Sequence, residues 1–319
     1  MVYVLLLVGF VLLIKGADYF VNGSSKIAKL LRISPIIVGL TIVAFGTGAP
    51  EATVSIIAAL EGNTDVTLGN VVGSNILNIS LVVGITAFIF PLKVESATIR
   101  KEIPFTFLAG ITLIVLMSDQ FLEFSPVNMI TRSDGIIFLL FFAIFMYYVI
   151  EAARNSREEN FAEQINPNDT GTWGKNILLT VGGLAAIVLG GYFVVETSTE
   201  IAFRFGMSET LVGLTIVAIG SSLPELITSI TAALKQQSEI ALGNIVGSSI
   251  FNILFVLGLS SIITPLPVSD KIFFDVIVMI FLTIVLFVFS RTQCKVAKGE
   301  GLALTVGYIV YLIYIIIRN

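Results

Sequence analysis

Two blocks of this chain occur twice, in the same order and at the same spacing. V-G-L-T-I-V-A-F-G-T-G-A-P-E runs from Val38 to Glu51, and V-G-L-T-I-V-A-I-G-S-S-L-P-E runs from Val212 to Glu225. L-G-N-V-V-G-S-N-I-L-N, from Leu68 to Asn78, returns as L-G-N-I-V-G-S-S-I-F-N, from Leu242 to Asn252. Both blocks recur at one offset of 174 positions, so the chain is a duplication. Each copy places a glutamate directly after a proline, inside an apolar run.

The setting of these blocks is a membrane. Of 319 residues, 56% are apolar and 13% charged, and the mean hydropathy is +0.98. Soluble domains carry about 25% charged residues, and a bilayer crossing needs about 20 mostly apolar residues. Ten such stretches are expected: Val2–Val21 (running on as an interfacial helix to Leu31), Pro35–Leu60, Val66–Phe90, Ile103–Met117, Gly135–Ile150, Asn176–Val195, Glu209–Leu234, Ile240–Ile263, Phe273–Phe289 and Leu302–Ile317. The first apolar run has no A-x-A cleavage site behind it and reads as a membrane helix. One polar stretch, residues 153–173, has the composition of a linker and leaves five spans on each side. The expected fold is therefore an all-α polytopic membrane protein of two five-helix repeats, 1–152 and 174–319.

Five is odd, so the second repeat enters the membrane from the opposite face. Inverted-topology repeats of this kind are a common plan among secondary transporters. Loop charge agrees. Arg132, Arg204, Lys271 and Arg318 fall on one side, whereas Lys26, Lys29, Arg32, Lys93, Arg100, Lys101, Arg154, Arg157, Lys175, Lys235, Arg291, Lys295 and Lys298 fall on the other. The positive-inside rule then places the linker in the cytoplasm and both termini outside.

The chemistry is expected at the helix breaks. Pro50 lacks an amide hydrogen and clashes with the carbonyl four residues back, at Gly46; Pro224 does the same to Gly220. Carbonyls freed in hydrocarbon cost several kcal/mol, so such breaks persist only beside a cavity or a ligand. Glu51 and Glu225 sit there at matching positions, where a carboxylate near the bilayer centre costs roughly 2.5 kcal/mol or more. Ser74 and Asn78 are four apart, as are Ser248 and Asn252, so each pair shares one helix face. Two glutamates, two asparagines and freed carbonyls are a donor set for sodium or calcium, the latter taking six to eight oxygens. The chain has no histidine and a single cysteine, Cys294. That argues against zinc or copper, excludes an intramolecular disulfide, and leaves no base to activate a serine.

Other polar residues read as structural. Lys15 and Asp18, three apart, are expected to pair with each other. Glu196 and Glu200 are expected at the interface, Asp65 and Glu239 as matching loop acids, and Trp173 as an interfacial anchor. No nucleotide fingerprint and no nucleic-acid-binding stripe is present.

At these motifs the chain resembles the calcium:cation antiporter superfamily, in particular the prokaryotic sodium/calcium exchangers, over essentially its whole length. Gly46-Thr47-Gly48-Ala49-Pro50-Glu51 stands where that family has G-[ST]-S-x-P-E, and Gly220 to Glu225 matches fully. Gly73–Asn78 and Gly247–Asn252 match its G-S-x-x-x-[ND]. The resemblance implies that Glu51 and Glu225 bind calcium and share in binding sodium. Thr47, Ser221, Ser222, Ser74 and Ser248 would add oxygens, Ala44 and Ala218 would offer carbonyls, and Asn78 and Asn252 would complete the site. It implies alternating occupancy by the two ions, with the first and sixth spans sliding past the core.

Two departures stand out. Gly48 replaces the usual serine, removing one hydroxyl. Asn252 stands where potassium-dependent relatives carry aspartate, leaving two formal negative charges and weighing against potassium coupling. The expected function is a secondary antiporter in which inward sodium drives calcium outward across the cell membrane. It would need no enzyme chemistry, no cofactor and no nucleic acid, and a monomer would suffice. A proton/calcium exchanger could use the same carboxylates, although that branch usually shows G-N-x-x-E-L. A cation channel could use acidic rings but would not need inverted repeats.

Overall fold

A computed structural model describes residues 2–96, 98–122, 124–159, 172–206 and 218–318. Helices dominate. In chain order they are α1 (Val2–Leu31), the bent pair α2 (Pro35–Thr47) and α3 (Ala49–Leu60), α4 (Thr64–Ile89), α5 (Ile103–Leu116), α6 (Arg132–Glu159), α7 (Trp173–Arg204), α8 (Leu223–Leu234), α9 (Ser238–Ile263), α10 (Asp270–Arg291) and α11 (Lys298–Arg318). Among the described residues, seven helices are long and apolar enough to cross a bilayer, and the bent pair, taken as one span, makes eight. Helices α5 and α8 are shorter apolar segments. The stretch 209–217, expected to begin the seventh span, lies outside the described residues, as do linker residues 160–171.

Several helices outrun the apolar stretches that mark them. Helix α1 is one unbroken helix of 30 residues. Helix α6 continues through the polar run Glu151–Glu159, where Arg and Glu are good helix formers, as far as Glu159. Helix α7 starts at Trp173 and reaches Arg204, beyond the expected Val195, and carries Glu200 paired with Arg204 on its last turn. The solvated ends of membrane helices keep their backbone ladder after hydropathy has fallen.

The helix ends repeat between the two halves. Arg32 ends α1 and Gly206 follows α7, both with positive φ (59° and 81°). Gly62 follows α3 and Gln236 follows α8, at 76° and 60°. Each pair is separated by the 174-residue offset of the sequence blocks. A left-handed residue just past a helix satisfies its last carbonyls and turns the chain sharply.

The most buried helices are α4 and α9, which form the centre, while α6 and α11 are mostly outward-facing. Outward positions such as Leu7, Val11, Leu178 and Val181 are large and apolar, as lipid contact requires. Between helices in lipid, association rests on close packing and polar contacts instead of water exclusion. Helix α9 meets α2 almost backbone to backbone: a Cβ on Gly243 would lie 2.6 Å from the Ile36 carbonyl oxygen, and one on Gly247 would lie 2.7 Å from that of Leu40. Helices α1 and α7 pack along most of their lengths, with Gly16 against Gly183.

The two halves also exchange contacts. Leu92–Lys93 pairs antiparallel with Lys295–Val296, and Met129–Ile130 with Leu266–Pro267. Gly84 of α4 packs on Gly301 of α11, and Gly258 of α9 packs on Gly135 of α6. The third helical stretch of each half is thus held by the last helix of the other.

Candidate ion site at the helix breaks

The chain bends by 49° between α2 and α3. The bend lies at Gly48, where the sequence places a weak point between Gly46 and Glu51. Pro50 sits in the first turn of α3 and Pro224 in the first turn of α8, where a missing N–H is tolerated. Each glutamate therefore lies in the first turn of a new helix, beside its exposed amides. Such an end favours negative charge.

Both carboxylates are buried, each about 1% exposed, and they face each other. Thr47, Ser74, Asn78, Ser222, Ser248, Asn252 and Ala44 are buried as well. Ser221 is half-buried, and the main chain of Ala218 begins the short helical turn before the second break. Contacts join the halves directly. Ser222 Oγ donates to Glu51 Oε1 at 2.9 Å and lies 3.3 Å from Ser74 Oγ. Ser248 Oγ donates to the Ala44 carbonyl at 3.4 Å. Helices α4 and α9 are each π-helical at their asparagine: Asn78 opens the turn Asn78–Val82 and Asn252 lies in Phe251–Leu257. The turn carrying Asn252 packs against α3, which carries Glu51, and the turn carrying Asn78 packs against α8, which carries Glu225.

Donor count decides what this arrangement can do. Among the described residues, Glu51 Oε2, both oxygens of Glu225, Asn78 Oδ1 and Nδ2, and Asn252 Oδ1 are buried with no hydrogen-bond donor or acceptor to meet them. Buried polar groups are nearly always satisfied, and leaving one bare costs about 1–3 kcal/mol. A cluster of bare oxygens from two carboxylates and two amides is therefore built to be filled. Among the described residues there is no group of three or more His, Cys, Asp or Glu. The donor set is oxygen throughout, which suits a hard cation of the sodium or calcium kind.

Three features were not legible beforehand. Asn70 and Asn244, inside the duplicated L-G-N, bind the glutamate-bearing helices: Asn70 Nδ2 donates to the Glu51 carbonyl (3.1 Å) and to Ser55 Oγ (2.9 Å), and Asn244 Nδ2 to the Glu225 carbonyl (3.4 Å) and Ser229 Oγ (3.0 Å). Their recurrence in register was the available signal. The π-helical turns had none. Asp18 pairs with Lys235 of the α8–α9 connection at 2.7 Å, and not with Lys15 as its spacing suggested; a tertiary partner outcompetes a neighbour on the same helix.

Comparison with known proteins agrees with this geometry. Residues 1–151 and 175–317 match the family described as sodium/calcium exchanger protein. CaxA of Alkalimonas amylolytica is 40% identical over 97% of this chain and 96% of its own. The sodium/calcium exchanger MaX1 of Methanosarcina acetivorans is 33% identical over 98% of this chain and 97% of its own. The solved sodium-calcium exchanger NCX_Mj superposes with a TM-score of 0.83 at 27% identity, covering 98% of each chain. With two family-type motif pairs, a shared fold and full-length likeness, this chain belongs to the sodium/calcium exchanger family, whose members are membrane antiporters and not enzymes.

Proposed function

We propose that this protein exchanges sodium for calcium by alternating access, with sodium entry driving calcium export across the cell membrane. The observation that carries the proposal is the bare oxygen cluster between Glu51 and Glu225. Two carboxylates, one from each half, balance one calcium ion where uncompensated charge is expensive. Sodium ions drawn to the same oxygens compete with it, and competition for shared ligands couples the two fluxes. Glu51, Glu225, Asn78 and Asn252 form the centre. Thr47, Ser74, Ser221, Ser222 and Ser248 and the carbonyls of Ala44 and Ala218 complete the ion path.

The proposed frame is ten spans in two inverted five-helix repeats, 1–152 and 174–319, joined by a cytoplasmic linker at 153–173. Both termini lie outside, and one chain carries the whole site. The repeated left-handed helix ends and the exchanged strand pairs support two equivalent halves. The lopsided loop charge supports the orientation. Cys294, the single cysteine, is exposed in the α10–α11 connection. In this frame it faces the cytoplasm, so a membrane-impermeant maleimide should label it in intact cells only after permeabilisation.

The test of function is calcium uptake into vesicles carrying purified protein. Sodium-loaded vesicles should take up calcium, and vesicles with only a proton gradient should not. Uptake that follows pH and ignores sodium would replace sodium by protons as the coupling ion. Uptake down a calcium gradient alone, without either ion in exchange, would point to a channel.

A further inference from the structure

The chain bends by 49° at the first break, where the ladder continues only through Gly48 (to the Ala44 carbonyl and from Ala52), so the backbone alone leaves the aim of the glutamate helices loosely set. Something else must aim the carboxylates. A carboxylate displaced by 1 Å loses an ion ligand, and ligand number and spacing separate one hard cation from another.

The structure assigns this role to Asn70 and Asn244, which we propose are positioning residues that set the aim of Glu51 and Glu225; the inference rests on those glutamates forming the ion site. Asn70 lies on α4, and its amide bridges two successive turns of α3 through the Glu51 carbonyl and Ser55 Oγ. Asn244 on α9 does the same to α8 through the Glu225 carbonyl and Ser229 Oγ. Asn70, Glu51 and Ser55 correspond to Asn244, Glu225 and Ser229 at the one offset of the duplication. An asparagine amide supplies two donors and one acceptor without charge. It can brace a helix beside a cation site and leave the count of carboxylates unchanged.

The brace is anchored on the helix that supplies the neutral oxygens. Asn70 is four residues before Ser74, and Asn244 four before Ser248, so brace and ligand share a face. The carboxylates and the serine and asparagine oxygens are thus held in one frame. The two braces differ. Asn244 is fully buried and its Oδ1 also accepts from Thr47 Oγ1 at 2.9 Å, tying the second half's brace to the first half's break. Asn70 is half-buried. Asn244 should matter more.

Leucine matches asparagine in shape and makes none of these bonds. In reconstituted vesicles, Asn244→Leu should raise the KM for calcium about tenfold, the scale of losing one or two buried hydrogen bonds. It should also shift the preference between calcium and the larger strontium ion, with the maximal rate within about threefold of wild type. Asn70→Leu should move the same quantities by about threefold, as a more exposed brace would. Ser229→Ala and Ser55→Ala leave the asparagines in place and should raise KM slightly in the same direction. They carry the test if the leucine variants fail to insert. An unchanged KM and calcium/strontium ratio in all four variants, or a loss confined to maximal rate, would overturn the positioning role. Wild-type vesicles run in parallel separate the two readings: no sodium-driven uptake by wild type would overturn the exchange function, whereas normal wild type with unaltered variants overturns only this inference.

Discussion

Glu51 and Glu225 occupy matching places and meet different surroundings. Glu51 accepts a hydrogen bond from Ser222 at 2.9 Å. The residue matching Ser222 in the other half is Gly48, so Glu225 lacks that serine hydroxyl; the Thr47 hydroxyl approaches it but is directed to the Val43 carbonyl and to Asn244 Oδ1. A side chain at position 48 would point the right way: its Cβ would lie 3.7 Å from Glu225 Oε1, although only 2.9 Å from the Ala44 carbonyl oxygen. One missing hydroxyl therefore makes a nearly symmetric site asymmetric. Duplication supplies the two carboxylates, and divergence at single positions makes them inequivalent. In our reading, the Glu225 side, without that serine hydroxyl, depends more on the bound ion for its compensation.

The strongest way to break this comparison is to remove each charge in turn. Glu51→Gln and Glu225→Gln should each abolish sodium-driven calcium uptake while the protein still inserts. Breaking one partner of a buried charge arrangement costs about 3–5 kcal/mol, or a loss of 100-fold or more. If either variant kept near-normal uptake, that glutamate would not be part of the site.

The next step exchanges the asymmetry. Ser222→Gly should remove the serine hydroxyl from Glu51, as Gly48 does for Glu225, and weaken calcium binding about tenfold, since a hydrogen bond to a charged group contributes about 1.5–3 kcal/mol. Gly48→Ser should give Glu225 a hydroxyl and change the apparent sodium affinity by a few-fold, a gain reduced by crowding against Ala44. Titrating uptake against sodium in both variants checks the sign. Equal and unchanged sodium curves would mean that the hydroxyl at this position does not reach the ions.

Smaller effects lie away from the site. Asp18 and Lys235 join α1 to the end of α8, tying the helix expected to slide to the core. The pair is partly exposed and should contribute about 0.2–1 kcal/mol. Asp18→Asn should therefore shift calcium uptake rates less than about fivefold, and Lys235→Gln should match it. Glu95 lies next to Glu239, which also accepts from Ser34 Oγ at 3.3 Å. Partial burial, reinforced by the neighbouring Glu239 charge, pushes the Glu95 carboxyl up to about 7 from its ordinary value of 4.5. A raised carboxyl holds its proton longer in the folded state than in the unfolded one. Its contribution is thus full below about 4.5 and lost as pH rises through about 7. Thermal stability in detergent should fall slightly across that window, and Glu95→Gln should flatten the slope.

The helix breaks and the two glutamates were legible in the sequence because proline and buried charge act locally: Pro50 and Pro224 forbid a continuous ladder wherever they stand. That Ser74 and Asn78, and Ser248 and Asn252, share a buried helix face was legible from their spacing and from their recurrence in register within apolar flanks. The helix ends were less so, since α6 continues to Glu159 on helix propensity after its apolar run has ended. What the sequence hid depends on tertiary register. The π-helical turns at Asn78 and Asn252 arise where α4 and α9 cross the core, and no residue type encodes them. Asp18 found Lys235 through the approach of α8 to α1. The asparagine braces were visible as repeated letters, but their meaning required knowing which carbonyl each amide meets.

The central claim is that the two halves build a single site. Equilibrium calcium binding to the purified protein, titrated in the presence of increasing sodium, tests it most directly. One calcium ion per chain should bind, sodium should displace it competitively, and Glu51→Gln or Glu225→Gln alone should eliminate binding. Two calcium ions per chain, with each variant losing only one of them, would contradict a shared site and indicate two independent ones.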